Sequence, residues 1–160
     1  MFDVVILPEV LFVEEIIMGD DYIDNLTEDE KLAFLSIFCI LVRADGYIES
    51  EEVDFLKMMA RRYKIDDSVV VNIIKESEYV NLDTVAQRII GRSHALELIK
   101  ELCFVANVDE SLNDNEVNTI LNIAQKLNIE GEKVVMINRW VLDNLALDKT
   151  GMIILEKNNA

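Results

Sequence analysis

Two stretches, VRADGYIESEEVDFLKMMARRYKI at 42–65 and ANVDESLNDNEVNTILNIAQKLNI at 106–129, decide the fold because the second repeats the first. Sliding the chain against itself aligns 28–76 with 92–140 without a gap. Each copy of such a repeat usually cannot bury its apolar face alone, so we expect the two copies to pack together. The identical pairs are Leu32/Leu96, Cys39/Cys103, Asp45/Asp109, Glu52/Glu116, Val53/Val117, Ala60/Ala124, Ile65/Ile129, Val70/Val134, Val71/Val135 and Ile73/Ile137.

The composition is typical of one compact helical domain. The chain has 160 residues, of which 51% are hydrophobic, with one Pro and five Gly, and this is far from the composition of a disordered chain. We predict a single domain over 1–160 built from the internal repeat 28–76 and 92–140. Residues 1–26 form an apolar N-terminal extension in this scheme, and 150–160 form a C-terminal tail.

Each copy contains three segments with helical periodicity, which predicts an all-α fold of about seven helices in two pseudo-symmetric halves. In copy one, the first helix begins at Thr27 with a capping box and ends near Ala44. The second spans about 50–63, and a third follows Asp66. A short linking helix closed by Gly91 is expected between the copies.

The charge balance excludes two classes of partner. A net charge of −16 and an isoelectric point near 4.3 repel nucleic-acid phosphates and anionic lipid headgroups. The segment 1–20 lacks a positive n-region and carries acidic interruptions, so we expect neither a signal peptide nor a membrane span there. Cys39 and Cys103 lie in apolar helical sequence, which favours reduced, buried thiols and a cytoplasmic location.

The segment ADGYIESEE, between the first two helices of copy one, is the strongest candidate site. Asp45, Gly46 and Glu52 match the fifth, sixth and twelfth places of an EF-hand loop, but Leu41 and Arg43 occupy the first and third. About five oxygens remain, against the 6–8 that Ca²⁺ takes. A high-affinity EF-hand is therefore excluded.

Two interpretations of the acidic positions stay open. In the first, Glu49 and Asn113 are N-caps, Glu52 and Glu116 close capping boxes, and the turns are structural. In the second, carboxylates from both copies form a weak site for a divalent cation such as Ca²⁺ or Mn²⁺, and the choice depends on whether the two turns meet. The candidate ligands are Asp45, Glu49, Glu52, Asp109 and Glu116.

The same motif carries a family resemblance. A helix ending in ADGYI, followed by Glu on the next helix and echoed in duplicate, resembles the tellurite-resistance TerB-like family over roughly 27–142. The resemblance implies an all-helical bacterial domain without known catalysis, a cytoplasmic stress-response or adaptor module linked to metal or oxyanion resistance. It implies protein partners, including assemblies near the inner membrane, and some members resemble the N-terminal region of a membrane-anchored J-domain co-chaperone. It implies divalent-cation contacts at Asp45, Glu52, Asp109 and Glu116.

One position departs from that motif. In copy two, Glu110 replaces Gly46, and Glu110 is strained if the backbone there has the positive φ that glycine tolerates.

No motif for catalysis or for an organic cofactor occurs. His94 is the only histidine, and we expect it to be an ordinary first-turn residue without a dyad or zinc cluster. Met136, Ile137 and Trp140 continue an apolar stripe that we assign to the core.

We therefore expect a non-enzymatic module that binds or senses a divalent cation weakly while it binds protein partners. The alternative is a purely structural interaction module whose acidic face docks basic partners without metal.

Overall fold

The fold is entirely helical over the residues that the computed structural model describes, which are 21–108 and 112–157. Seven α-helices and two 3₁₀ turns lie in these ranges, and none of these residues forms a strand. The predicted class is confirmed. The α-helices are α1 (Glu28–Val42), α2 (Ser50–Arg62), α3 (Asp67–Glu76), α4 (Leu82–Ala86), α5 (Gly91–Asn107), α6 (Asp114–Lys126) and α7 (Gly131–Ile154), and the 3₁₀ turns are Ile23–Asn25 and Arg43–Asp45.

The repeat is visible in the helix ends. Helices α2 and α6 begin and end at equivalent positions of the two copies, and α3 and α7 begin at equivalent positions. Lys64 and Asn128, each just after the second helix of its copy, have φ angles of 59° and 58°. The left-handed conformation of this residue turns the chain so that the amide of the following residue can donate to a carbonyl in the last turn of the helix. In copy two, the Ile129 amide donates to the Ala124 carbonyl at 2.8 Å.

Helices α1 and α5 form the centre of the bundle. Every α1 residue from Ala33 to Cys39 is buried, and so is every α5 residue from Glu101 to Asn107. A helix buried on all sides must be surrounded by others, and the remaining helices pack against this pair. Rings of Phe34, Phe38 and Tyr63 meet at centroid distances near 6 Å in this core.

The ends of the central helices are fastened at equivalent places. Arg43, which follows α1, donates to the Ile74 carbonyl at 3.0 Å and to the Ser77 hydroxyl at 3.0 Å. Asn107, at the end of α5, donates to the Asn138 side chain at 2.7 Å. These bonds tie α1 to α3 and α5 to α7, so each copy closes in the same way.

A buried polar cluster joins the two halves. Glu101 of α5 is fully buried and pairs with Arg62 of α2 at 3.1 Å. The Tyr22 hydroxyl donates to Glu101 and lies 2.8 Å from the Tyr63 hydroxyl. Burial, followed by the charge of Glu101, raises the pKa of Tyr22 well above its ordinary value, so Tyr22 stays a proton donor.

Two sequence-based expectations are wrong, one about the end of a helix and one about which residues are in the core. Gly91 does not close the linking helix: α4 ends at Ala86, and Gly91 instead begins α5 with a φ of 79°. Met136 and Trp140 are not core residues, since they are 63% and 48% exposed. The buried face of α7 is set by Val134, so residues two and six positions later lie about 200° and 240° around the helix.

The last helix extends beyond the repeat. It continues to Ile154, so the first residues of the segment assigned to a C-terminal tail are helical. Ile153, Ile154 and Leu155 are more than 60% exposed. The N-terminal extension lies outside the described residues up to position 20.

Candidate functional site

The turn after α1 depends on Gly46. Its amide donates to the Arg43 carbonyl at 2.8 Å, closing the 3₁₀ turn, and its φ is +120°. A side chain at such a φ is strained, which explains a glycine at this place. Glu110, the equivalent residue of copy two, lies outside the described residues, so its strain stays a prediction.

Glu52 and Glu116 cap their own helices. The Oε2 atom of Glu52 accepts from the Glu49 amide at 2.9 Å, and the Oε2 atom of Glu116 accepts from the Asn113 amide at 3.1 Å. The Asn113 side chain accepts in return from the Glu116 amide at 2.9 Å. The predicted N-caps are therefore confirmed in both copies, and they hold two buried carboxylates next to the turns.

The turn of copy one meets a helix of copy two. Asp45 accepts from the Asn115 side-chain amide at 3.3 Å and from that of Asn113 at 3.5 Å, the longer of which is a weak bond. Because Asn113 is the N-cap of α6, the Asp45 carboxylate sits at the start of that helix. The sequence alone did not determine whether the two copies meet at these turns. In the structure, the turn of copy one contacts the start of α6 in copy two.

Glu52 is the electrostatically unusual member of the turn. Its side chain is 1% exposed, and in the part of the chain that the structure describes its Oε1 atom has no hydrogen-bond partner. Burial raises the pKa of Glu52, the Glu49 amide lowers it, and the negative charges of Glu49 and Asp45 raise it further. The net pKa is above the ordinary value, so the ionised carboxylate is destabilised where it lies.

The five predicted ligands are only partly brought together. Asp45 and Glu49 are exposed in one turn with the buried Glu52, whereas Glu116 caps its own helix. Asp109 lies outside the described residues. Within 21–108 and 112–157, no three or more His, Cys, Asp or Glu side chains are grouped closely enough to hold a metal ion.

A family model described as "Tellurite resistance protein TerB" matches residues 31–139, which is more than half of the chain. The chain belongs to this TerB family. No curated protein and no solved structure gave a significant match. None of the helices in the described ranges is both long enough and apolar enough to cross a membrane.

This TerB-family chain also contains a buried carboxylate that the sequence did not reveal. Glu30 is 1% exposed, and its Oε2 atom lies 2.7 Å from Nδ1 of His94 and accepts from the Ile90 amide at 3.0 Å. Its other oxygen accepts from the Thr27 amide at 3.2 Å. His94 lies in the first turn of α5, as predicted, and its partner Glu30 comes from the other copy.

The physical balance at Glu30 is opposite to that at Glu52. Burial alone would raise the pKa of Glu30, but the Ile90 amide, His94 and the Thr27 amide together hold it below its usual range. A signal was present in the sequence, because Glu30 and His94 occupy equivalent positions of the repeat. Equivalent residues near a pseudo-twofold axis can meet, and these two join α1 to the start of α5.

The two cysteines of this TerB-family domain behave as core residues. Cys39 and Cys103 are both free and buried, as predicted. Burial raises the pKa of each thiol to about 12, so neither is a thiolate at neutral pH.

Proposed function

We propose that this TerB-family protein is a non-enzymatic stress-response module that binds a divalent cation weakly at the Asp45 turn and couples that binding to the docking of protein partners. We place it in the cytoplasm, where the free Cys39 and Cys103 would stay reduced.

The single observation that supports this function is the state of Glu52. A buried carboxylate oxygen without a hydrogen-bond partner is costly, and the neighbouring Asp45 and Glu49 add negative charge. A hard cation would offer that oxygen a ligand bond and offset the negative charge that Asp45 and Glu49 place near Glu52. Binding would therefore stiffen the turn between α1 and α2.

The affinity of such a site is expected to be low. The turn offers fewer oxygens than the 6–8 that Ca²⁺ takes, and Asp45 would have to exchange its bond to Asn115 for the cation. Sites with few charged ligands have dissociation constants of about 10⁻⁴–10⁻³ M. We expect a dissociation constant in this range, which is weaker than that of dedicated Ca²⁺ sensor sites.

The first prediction concerns cation titration. We expect saturable heat when the full chain is titrated calorimetrically with Ca²⁺ or Mn²⁺ at physiological salt, with Mg²⁺ and Zn²⁺ as comparison ions. A cation at ten times its dissociation constant should add about 1.4 kcal/mol to the free energy of unfolding. Asp45→Asn and Glu52→Gln should each abolish the saturable heat, because each removes an anionic ligand from the turn.

The control is Asp143→Asn, since Asp143 is an exposed acidic residue within α7 and is not part of the turn. It should leave the titration unchanged. Asp109→Asn tests whether copy two contributes. Flat traces at millimolar cation, or heat that survives in the Asp45 and Glu52 variants, would remove the cation from the proposal.

A second candidate function has its own observation in support. Glu52 and Glu116 already serve as helix caps, and Asp45 is hydrogen-bonded to Asn115. These three acidic residues therefore have structural roles that need no metal ion. With a net charge of −16, the molecule would then be a structural module that docks basic partners electrostatically. Flat cation titrations together with partner binding that weakens as salt rises would favour this candidate.

A further inference from the structure

We propose that the groove between α6 and α7 binds an amphipathic helix with basic flanks, presented by a partner protein. This inference deepens the partner-docking half of the proposed function and is independent of the cation. It rests on an apolar groove, on a difference between the two copies, and on the charges around the groove.

The groove encloses a cavity of about 130 Å³ on the surface of copy two. A cavity of about 150 Å³ is large enough to take up benzene, so this one suits a single large apolar side chain. Helix α5 forms its floor, and α6 and α7 form its walls. The lining residues are Cys103, Leu112, Val117, Ile120, Leu121, Val134, Val135 and Asn138.

The rim of the groove is apolar and exposed. Val117 and Leu121, four residues apart on α6, are 36% and 39% exposed, and Val135 on α7 is 66% exposed. Two helices that offer apolar side chains on facing sides form the surface that an amphipathic helix fills in helix-in-groove recognition. The anchor side chain would enter the cavity, and its neighbours would cover the rim.

Copy one shows that the fold does not require this surface. Lys57 stands at the position equivalent to Leu121, and Val71, equivalent to Val135, is partly buried. The same backbone arrangement is therefore stable with a charged residue on the rim. At these two positions the copies differ in Leu121 against Lys57 and in the greater exposure of Val135 than of Val71, so the fully apolar, exposed rim belongs to copy two.

The surroundings of the groove select a basic partner. Asp114 lies three residues before Val117, and Glu132 lies three residues before Val135, so each wall begins with an exposed acid on the same helix face. Arg139, four residues after Val135, adds one exposed base further along α7. Asp45 of the acidic turn contacts Asn115 at this end of α6. Lys or Arg on the flanks of a bound helix would meet these carboxylates.

Two other occupants of the groove are conceivable, the chain's own residues 1–20 and a second copy of the chain, but neither carries charge complementary to the groove. Residues 1–20 are apolar, but they carry only acidic charges and no Lys or Arg. A second copy of the chain brings another net charge of −16. The acidic residues of the N-terminal extension are Asp3, Glu9, Glu14, Glu15 and Asp20.

The test uses a synthetic helical peptide of about 18 residues with a stripe of Leu at i, i+3, i+4 and i+7 and Lys on both flanks. Its binding to the full chain is measured by fluorescence anisotropy at physiological salt in EDTA. One matched peptide replaces the Leu stripe by Ser at the same charge, and the other replaces Lys by Glu with the same stripe. We expect the Leu/Lys peptide to bind best, by about tenfold or more over either.

Protein variants locate the binding. A Leu121→Ser, Val135→Ser double variant changes two surface positions and should weaken the Leu/Lys peptide by about tenfold or more. The control is Val69→Ser on α3, because Val69 is also 36% exposed but lies outside the groove. It should leave binding unchanged, and far-UV circular dichroism should show that all variants are folded.

Four results would overturn the proposal. If the Ser-stripe peptide binds as tightly as the Leu/Lys peptide, the binding is electrostatic and does not use the apolar groove. If the double variant binds the Leu/Lys peptide at full affinity, the peptide binds outside the groove. Tighter binding of the Leu/Glu peptide would point to an acidic, apolar segment as the occupant, which is the composition of residues 1–20 of the chain itself. If sedimentation shows that the parent chain is a dimer and that Val135→Ser is a monomer, the occupant of the groove is a second copy of the chain. Groove-dependent peptide binding beside flat cation titrations would uphold the groove and overturn the cation site.

Discussion

At the scale of single residues, the molecule holds two buried carboxylates in opposite environments. Glu30 and Glu52 are both 1% exposed, and both serve as the third residue of a capping box. Glu30 additionally receives the Ile90 amide and faces His94, whereas Glu52 faces other carboxylates and keeps one oxygen without a partner among the described residues. The pKa is lowered at the first and raised at the second.

These opposite shifts predict opposite effects of pH. A lowered carboxyl pKa contributes stability above the unfolded pKa, about 4.3, that is lost as pH falls through the folded pKa. A raised one costs stability above the folded pKa, and this cost disappears as pH falls below the unfolded value. We expect Glu30→Gln to lower the free energy of unfolding at pH 7 by about 1–3 kcal/mol, a deficit that shrinks below about pH 4.3. Glu52→Gln should be neutral or stabilising at pH 7.

Urea unfolding of both variants at pH 7, 5.5 and 4 checks this prediction. Glu78→Gln serves as the control, because Glu78 is exposed, and the change should leave the free energy of unfolding close to that of the parent chain. If Glu30→Gln and Glu52→Gln respond to pH in the same direction, the environments assigned to the two carboxylates are wrong.

At the scale of elements, the turn between α1 and α2 depends on the backbone of one glycine. Gly46 has a φ of +120° with open space where a Cβ would lie, so the penalty for a side chain is conformational and not steric crowding. Gly46→Ala should lower the free energy of unfolding by about 1–3 kcal/mol. Gly151→Ala is the matched control: Gly151 lies within α7, also with open space at Cβ, and the change should add about 0.5–1 kcal/mol. Chemical denaturation measures both, and equal effects of the two variants would contradict the assignment of strain to Gly46.

Local patterns predicted the elements well, and contacts distant in sequence explain what they missed. The capping box at Thr27 and the equivalent boxes at Glu49 and Asn113 follow from neighbouring residues, so they were readable in the sequence. The pairs Glu30–His94 and Asp45–Asn115 depend on how the copies pack, which spacing within one copy does not fix.

At the scale of the whole molecule, the two copies share one core. Helices α1 and α5 are buried against each other and their neighbours, and the Glu101–Arg62 pair crosses between copies in the interior. Neither copy can expose its central helix to water without losing most of its buried apolar surface. The repeat therefore builds one domain and not two separate ones.

A shared core predicts a single cooperative unfolding transition that a mutation in either copy shifts for both. Phe38 is fully buried in α1, and Phe38→Ala should lower the free energy of unfolding by about 3–5 kcal/mol. Trp140, the only tryptophan, lies on α7 in copy two and reports on that copy by fluorescence. In urea, Phe38→Ala should lower the unfolding midpoint followed by Trp140 fluorescence by as much as the midpoint followed by far-UV circular dichroism. The two should move together because α7 packs on the shared core and cannot remain folded without it. Tyr79→Ala, at a residue that is 84% exposed, should move neither midpoint. A Trp140 midpoint that stays in place while the helical signal of copy one is lost would mean that the copies unfold independently.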